Sequence, residues 1–113
     1  MSNPQRDPAI RGKTIRLTWT EGPTKGTVHE HVFHEDGTVE WHDAKGPRGA
    51  ASKEKPVYAA LKAADNVYAI SYMAPASGYT LTVVLNFQNG KILGFASSAK
   101  DWHPLQGTFE LVR

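Results

Sequence analysis

Hydrophobic and polar residues alternate along most of the chain from Thr14 onwards. In Thr14-Ile15-Arg16-Leu17-Thr18-Trp19 every second residue is apolar, which is the period of a β-strand with one buried face. We therefore expect Ile15, Leu17 and Trp19 to point inward. Tyr79 to Phe87 continues the alternation for long enough to curl around a barrel. The pattern predicts strands over residues 14–19, 27–33, 38–43, 57–64, 67–73, 79–87, 92–98 and 108–112.

Turn residues separate these segments. Asp36-Gly37 and Asn89-Gly90 are hairpin signals, because glycine adopts the positive φ that tight turns require. The segment 57–64 is ambiguous, since its alanine-rich sequence after Pro56 favours a helix by local propensity. The turn pair Asp65-Asn66 ends it directly before the next strand.

Several short strands with frequent turns predict an all-β meander. A sheet this long must close on itself to bury its apolar face, which predicts a small antiparallel up-and-down barrel of about seven or eight strands. Residues 12–113 are predicted to form this single β-barrel domain, and residues 1–11 a flexible N-terminal tail. Trp102-His103-Pro104 is assigned to the loop before the last strand, as a turn, or as a plug or lid of the barrel. A barrel of this size encloses only side chains or one small ligand.

Composition narrows the possible chemistry. The chain of 113 residues contains no cysteine, which excludes disulfides, thiolate nucleophiles and cysteine metal sites. Its formal charge of +2 is too small to indicate nucleic-acid binding. The polar N-terminal sequence and the lack of a long apolar run disfavour secretion and membrane spanning, so we expect a cytoplasmic protein. The excess of positive charge lies largely in a predicted loop containing Lys45, Arg48, Lys53 and Lys55.

Several of these stretches resemble the MoaF-like family, which is related to domains of molybdenum-cofactor-biosynthesis protein F. The resemblance covers about residues 12–112 and implies a lipocalin-like (calycin) barrel. It also implies that segment 57–64 is a strand, against its local propensity. The stretches that carry it are Gly12 to Gly22, Glu35 to Val39, Val67 to Tyr72 and Leu85 to Phe87.

The MoaF-like family more distantly resembles the phenolic acid decarboxylases, whose chemistry relies on two tyrosines of the first strand and a later glutamate. This chain has Leu17 and Trp19 at the tyrosine positions and Ala74 at the glutamate position. The decarboxylase machinery is therefore absent. The resemblance makes Arg48 a candidate for the position of the cationic substrate anchor of those enzymes. Nothing in the residues indicates a pterin or molybdate site, and no cofactor is predicted.

The stretch His29-Glu30-His31-Val32-Phe33-His34 holds three of the five histidines. On a strand, His29, His31 and Phe33 project from one face, and Val32 from the other. If Phe33 marks the inside, the two histidines face the barrel interior; if Val28 and Val32 mark it, they face solvent. The resemblance favours the interior, because the decarboxylases place a cavity-lining aromatic residue at the His29 position.

Three roles are open to His29 and His31. A divalent metal is one, although no third ligand is identifiable, because Glu40 and His42 point outward if Trp41 points inward. We therefore predict no metal site. General acid/base catalysis is a second role, for which neither a nucleophile nor an orienting carboxylate is apparent. The third role is hydrogen bonding within a partly polar cavity or on a solvated face.

Four aromatic residues fall on predicted inward or cavity-mouth positions, where they form either a slot for a flat ligand or part of a filled core. Together with the two histidines they are the predicted ligand-binding residues: Trp19, His29, His31, Trp41, Tyr72 and Tyr79. The leading prediction is a protein that binds a small aromatic or planar molecule. The alternatives are a lyase or isomerase that uses a cavity histidine with a tyrosine, and a structural or partner-binding domain with a filled barrel. We expect no nucleic-acid or membrane partner and consider a homodimer.

Overall fold

A computed structural model describes residues 10–22, 25–43, 56–74 and 78–112 of the chain. These residues form eight β-strands and no helix, and so no helix that could cross a membrane. The strands are β1 (Thr14–Glu21), β2 (Val28–Phe33), β3 (Val39–Asp43), β4 (Tyr58–Ala64), β5 (Val67–Ala74), β6 (Tyr79–Asn86), β7 (Lys91–Ser97) and β8 (Trp102–Leu111).

All eight strands belong to one antiparallel sheet with the order β3-β2-β1-β8-β7-β6-β5-β4. The first and last strands pair within the sheet, and the sheet curls into a half-barrel. Its two edge strands approach each other at one bridge between Thr38 and Val57. Beside that bridge the backbone nitrogen of Val39 donates to the oxygen of Pro56 at 2.9 Å. The predicted small antiparallel barrel is confirmed.

The inward face of the sheet forms the hydrophobic core. Ile15, Leu17 and Trp19 are all buried, as the alternation of β1 predicts. The core also includes Ile10, which is buried although the sequence places it in a flexible tail. Residues 1–9 lie outside the described residues, so the division of the chain at residue 12 stays a prediction. The largest fully buried side chains are Ile10, Ile15, Leu17, Val39, Tyr58, Leu85 and Ile92.

Two glycines allow the sheet to bend sharply. A Cβ atom on Gly94 would collide with the backbone oxygen of Thr82 on β6, and one on Gly107 with the backbone oxygen of Thr18 on β1. Glycine at a strand interior marks such close approaches of backbone to backbone. Next to Gly107 the pairing of β1 with β8 shifts register after Trp19. This irregularity lies where β1 brings Trp19 toward the open end of the half-barrel.

The segment 57–64 is extended, and its residues from Tyr58 form β4, as the resemblance implies. Tyr58 and Ala60 are buried while Leu61 is exposed, so burial on the sheet overrides the local preference for a helix. The turn at Asp65-Asn66 is also confirmed, with Asn66 at φ 60°.

The assignment of Trp102-His103-Pro104 to a loop, as a turn or as a plug or lid of the barrel, was wrong. These residues begin β8 and pair with Ser97, Ala96 and Phe95 of β7. Pairing extends this far because a short turn, closed by Ser98 and Asp101, joins the two strands directly. Proline fits here because this part of β8 has a paired strand on one side only. The basic loop residues Lys45, Arg48, Lys53 and Lys55 lie outside the described residues.

Candidate functional site

One end of the half-barrel contains a cavity of about 330 Å³. It lies where β1, β3, β5 and β7 end and where β2, β6 and β8 begin, as the positions of its lining residues show. The six residues predicted as ligand-binding all line this cavity: Trp19, His29, His31, Trp41, Tyr72 and Tyr79. The structure thus brings together residues that are up to 60 positions apart in sequence.

Five further residues line the cavity: Ala74, Leu81, Ala96, His103 and Leu105. Ala74 and Leu81 lie two positions after Tyr72 and Tyr79, so strand alternation alone identifies them. Ala96 occupies the inward face of β7 in the same way. His103 and Leu105 escape sequence reasoning because their segment was assigned largely to a loop.

The floor of the cavity is formed by a buried pair of polar side chains. His31 is 4% exposed and Tyr72 is 7% exposed. The Nε2 atom of His31 lies 2.8 Å from the hydroxyl oxygen of Tyr72, which is a hydrogen bond. Phe33 is buried on the same face, which answers the question of strand orientation: the inward reading of His31 is confirmed. The pair joins β2 to β5 across the interior, because these strands are not neighbours in the sheet.

Both members of this pair are uncharged at neutral pH. Burial lowers the pKa of His31 to about 3, and positive charge on His29 or His42 acts in the same direction. Burial also raises the pKa of the Tyr72 phenol. The second ring nitrogen of His31, Nδ1, is buried and has no hydrogen-bond partner among the described residues. The floor therefore offers a neutral, incompletely satisfied polar group within apolar walls.

His29 stands nearer the mouth and is held by two tryptophans. The indole Nε1 of Trp19 donates to Nδ1 of His29 at 3.3 Å. Because Nδ1 accepts this bond, the proton of neutral His29 lies on Nε2. The ring of Trp41 lies 5.0 Å from the His29 ring with a tilt of 42°. These contacts hold a flat, largely apolar wall on one side of the cavity.

A second polar cluster lies at the rim on the opposite wall. The hydroxyl of Tyr79 donates to Asp101 at 2.9 Å, and the hydroxyl of Ser98 donates to the same carboxylate at 2.8 Å. The bond to Asp101 raises the pKa of Tyr79, whereas the bond from Ser98, followed by that from Tyr79, lowers the pKa of Asp101. His103 lies 3.6 Å from Asp101, and its ring centre is 5.9 Å from that of Tyr79.

The side chains of Arg16, Glu30, Glu40 and His42 lie on the outer face of β1 to β3. Arg16 bonds Glu30 at 2.8 Å, and Glu30 in turn bonds His42 at 2.9 Å. His34 bonds Glu40 at 2.9 Å. Glu40 and His42 thus point away from the cavity. Among the residues that the structure describes, no three histidine, aspartate or glutamate side chains are grouped to hold a metal ion.

The positions that carry the decarboxylase machinery in the resembling enzymes hold apolar groups here. Leu17 is fully buried in the core, while Trp19 and Ala74 line the cavity. An indole and a methyl group thus stand where the resemblance would require a phenol and a carboxylate. The lining residues among the described part of the chain include no serine, no carboxylate and no lysine or arginine.

Comparisons with known proteins agree with this architecture. A crystal structure from Burkholderia vietnamiensis, described as a "putative beta-lactamase", superposes with a TM-score of 0.74 over 96% of this chain and 99% of that one. The two sequences are 24% identical, so the likeness shows the fold alone. No curated protein matches the chain significantly in sequence. The family model of the MoaF N-terminal domain matches residues 5–101, and the chain therefore belongs to the MoaF N-terminal domain family.

Proposed function

We propose that this protein binds a small aromatic or otherwise planar molecule in the cavity at the open end of its half-barrel. The observation that supports this most is the convergence of four aromatic side chains and two histidines on one cavity. A volume of about 330 Å³ lies at the lower end of the range of ligand pockets and suits one small molecule. Apolar walls with a few convergent polar groups are typical of such sites.

The shape of the walls favours a flat ligand. Two pairs of neighbouring rings line the cavity, Trp41 with His29 and Tyr79 with His103. Aromatic side chains attract planar rings through offset or edge-to-face contacts in addition to area burial. An aliphatic ligand of equal volume would bury a similar apolar area without these ring contacts, so planar aromatic molecules should bind more tightly.

Binding is favoured over acid/base catalysis because the central polar pair is poorly tuned for proton transfer. A general acid or base works best when its pKa lies near the operating pH. Burial lowers the pKa of His31 and raises the pKa of Tyr72, so each pKa moves away from neutral pH. The β-lactamase description belongs to the Burkholderia vietnamiensis structure, and a sequence identity of 24% does not extend it to this chain. The cytoplasmic location that the sequence predicts stays a prediction.

A thermal-shift screen of phenols, aromatic acids, aromatic amides and pterins, followed by calorimetry of the hits, tests the proposal. The matched variants are Ala96→Phe, which adds a phenyl ring inside the cavity, and Thr108→Phe, which adds one on the exposed outer face. We expect a saturable ligand for the wild type and for Thr108→Phe, and loss of binding for Ala96→Phe.

Equal binding by Ala96→Phe and the wild type would locate the ligand elsewhere and contradict the proposal. Absence of binding by any planar compound would contradict it as well. A catalysed change in a bound aromatic compound, lost in a folded His31→Gln variant, would support the lyase or isomerase alternative.

A further inference from the structure

The polar side chains at the cavity floor determine which group of a ligand can bind there. This inference rests on the proposed function. The geometry points to a ligand whose buried end is an uncharged hydrogen-bond acceptor, such as a carbonyl oxygen, bound by the hydroxyl of Tyr72.

No lysine, arginine, aspartate or glutamate lines the cavity among the described residues. A carboxylate or ammonium group placed beside His31 and Tyr72 would lose its hydration without gaining an opposite charge, which is costly. A neutral polar group avoids this cost.

The hydrogen bond between His31 and Tyr72 can have either direction, depending on which ring nitrogen of His31 carries the proton. If the His31 proton is on Nε2, the unpartnered Nδ1 is an acceptor; if the proton is on Nδ1, the unpartnered group is an N–H donor. Among buried backbone groups, donors without a partner are rarer than under-satisfied acceptors, and we extend this preference to the imidazole ring. We therefore assign the proton to Nε2, which donates to the Tyr72 oxygen.

With its oxygen accepting from His31, the hydroxyl of Tyr72 keeps its own proton for a further bond. No described residue other than His31 hydrogen-bonds Tyr72, and Tyr72 lines the cavity. The free donor selects an acceptor atom on the ligand.

Three probes of similar size test this inference: acetophenone, benzoate and ethylbenzene, titrated calorimetrically at pH 7. We expect acetophenone to bind at least about tenfold more tightly than benzoate, because the anion finds no opposite charge at the floor. In Tyr72→Phe, we expect acetophenone to lose about three- to tenfold in affinity while ethylbenzene is unchanged.

Benzoate binding as tightly as acetophenone, or an equal loss for acetophenone and ethylbenzene in Tyr72→Phe, would overturn the inference while leaving the proposed binding function intact. If none of the probes binds and the broader screen is also silent, the proposed function itself fails. A folded His31→Phe variant, which removes the group that orients Tyr72, should weaken acetophenone binding and spare ethylbenzene.

A different observation concerns the outside of the sheet. The outer face of β4 to β8 carries large apolar side chains in open solvent, and we name this surface the outer apolar face. Phe95 on β7 stands beside Thr82 and Pro104 on the adjacent strands. In the next row Leu93 pairs with Val84, which in turn pairs with Ala69. The most exposed members of the face are Leu61, Met73, Leu93, Phe95 and Trp102.

We infer that a second copy of this chain covers the outer apolar face in a two-fold symmetric dimer. Near a two-fold axis each residue meets its own copy, so like charges are excluded there. The rows through Phe95 and Leu93 contain only apolar or uncharged residues across β5 to β8. The outer face of β1 and β2, by contrast, carries Arg16 and Glu30.

The exposed area also suits a dimer. With aromatic side chains of about 200 Å² each, exposures of 67% and 49% mean that Trp102 and Phe95 together expose roughly 230 Å². The aliphatic members raise the face to roughly 500 Å², within the range of functional patches. Each partner buries roughly 800 Å² in a standard interface, of which somewhat over half is apolar, so roughly 500 Å² of apolar surface is about what one such face requires.

Sedimentation velocity of the whole chain at micromolar concentrations tests this second inference. We expect a dimer for the wild type and for Thr18→Glu, which adds a charge on the outer face of β1, and a monomer for Phe95→Glu. Trp102→Lys provides a second monomeric variant if Phe95→Glu does not fold. A monomeric wild type, or a folded variant of the face that remains dimeric, would overturn the inference.

Discussion

His31 is the buried group whose protonation is expected to make the fold sensitive to acid. Its pKa falls from 6.5 to about 3 in the folded chain, because the ring is removed from water. In the unfolded chain the same ring takes up a proton below about pH 6.5. Between these two values the unfolded state binds more protons than the folded state, so stability decreases as the pH falls.

The size of this loss of stability follows from the shift in the pKa of His31. Each pKa unit corresponds to about 1.4 kcal/mol, so the change from 6.5 to about 3 represents about 5 kcal/mol at full protonation of the unfolded state. About 2 kcal/mol of this is lost between pH 8 and pH 5. The carboxylates of Glu30 and Asp101, whose pKa values are lowered from 4.5 and 3.8, add their own losses at lower pH.

Urea unfolding followed by tryptophan fluorescence at pH 5, 6, 7 and 8 measures this loss. We expect the unfolding free energy of the wild type to fall by about 2 kcal/mol across that range. His31→Gln, which has no titratable ring at this position, should lack that part of the slope. His34→Gln removes a histidine from the outer face and should retain the part of the slope that His31 causes. An equal slope in the wild type and in His31→Gln would refute the reasoning.

Three further outcomes are expected. Leu85→Ala should lower the unfolding free energy by about 2 to 5 kcal/mol, whereas Leu93→Ala on the exposed face should cost less than about 1 kcal/mol, as denaturation of both will show. Gly94→Ala should fail to fold or lose most of its thermal stability, because its Cβ would occupy the space of a backbone oxygen on β6; an unchanged melting temperature would contradict the close approach. Asp101→Asn should bring the pKa of Tyr79 back toward its usual value, which ultraviolet titration of the phenol will detect; an unchanged titration would show that the carboxylate is not the cause.

Much of the fold is encoded in local patterns. The alternation of β1 and β6 identifies their inward faces, and the glycine turns at Asp36-Gly37 and Asn89-Gly90 have the positive φ that the sequence predicts. These features depend on neighbouring residues alone, so the sequence reveals them directly. The segment of β4 is different, because its local propensity is helical and only its place in the sheet makes it a strand.

The candidate site was predictable as a group of residues and unpredictable as a set of contacts. Trp41 and Tyr79 follow from strand periodicity, whereas the inward position of His29 follows from the family resemblance, because periodicity alone leaves both faces of β2 open. The hydrogen bond between His31 and Tyr72 joins residues 41 positions apart on strands that do not pair, so no local sequence pattern predicts it. His103 was missed because the neighbouring Pro104 argues against a strand. Proline fits in this part of β8 because the strand is paired on one side only there.

The central claim is that the cavity holds a planar molecule, and a crystal structure of the protein with acetophenone at saturation tests it most directly. The account predicts electron density for the phenyl ring between Trp41 and His103, with the ketone oxygen within hydrogen-bond distance of the Tyr72 hydroxyl. An empty cavity at a concentration that saturates binding in solution, or density found only on the outer apolar face, would contradict the account.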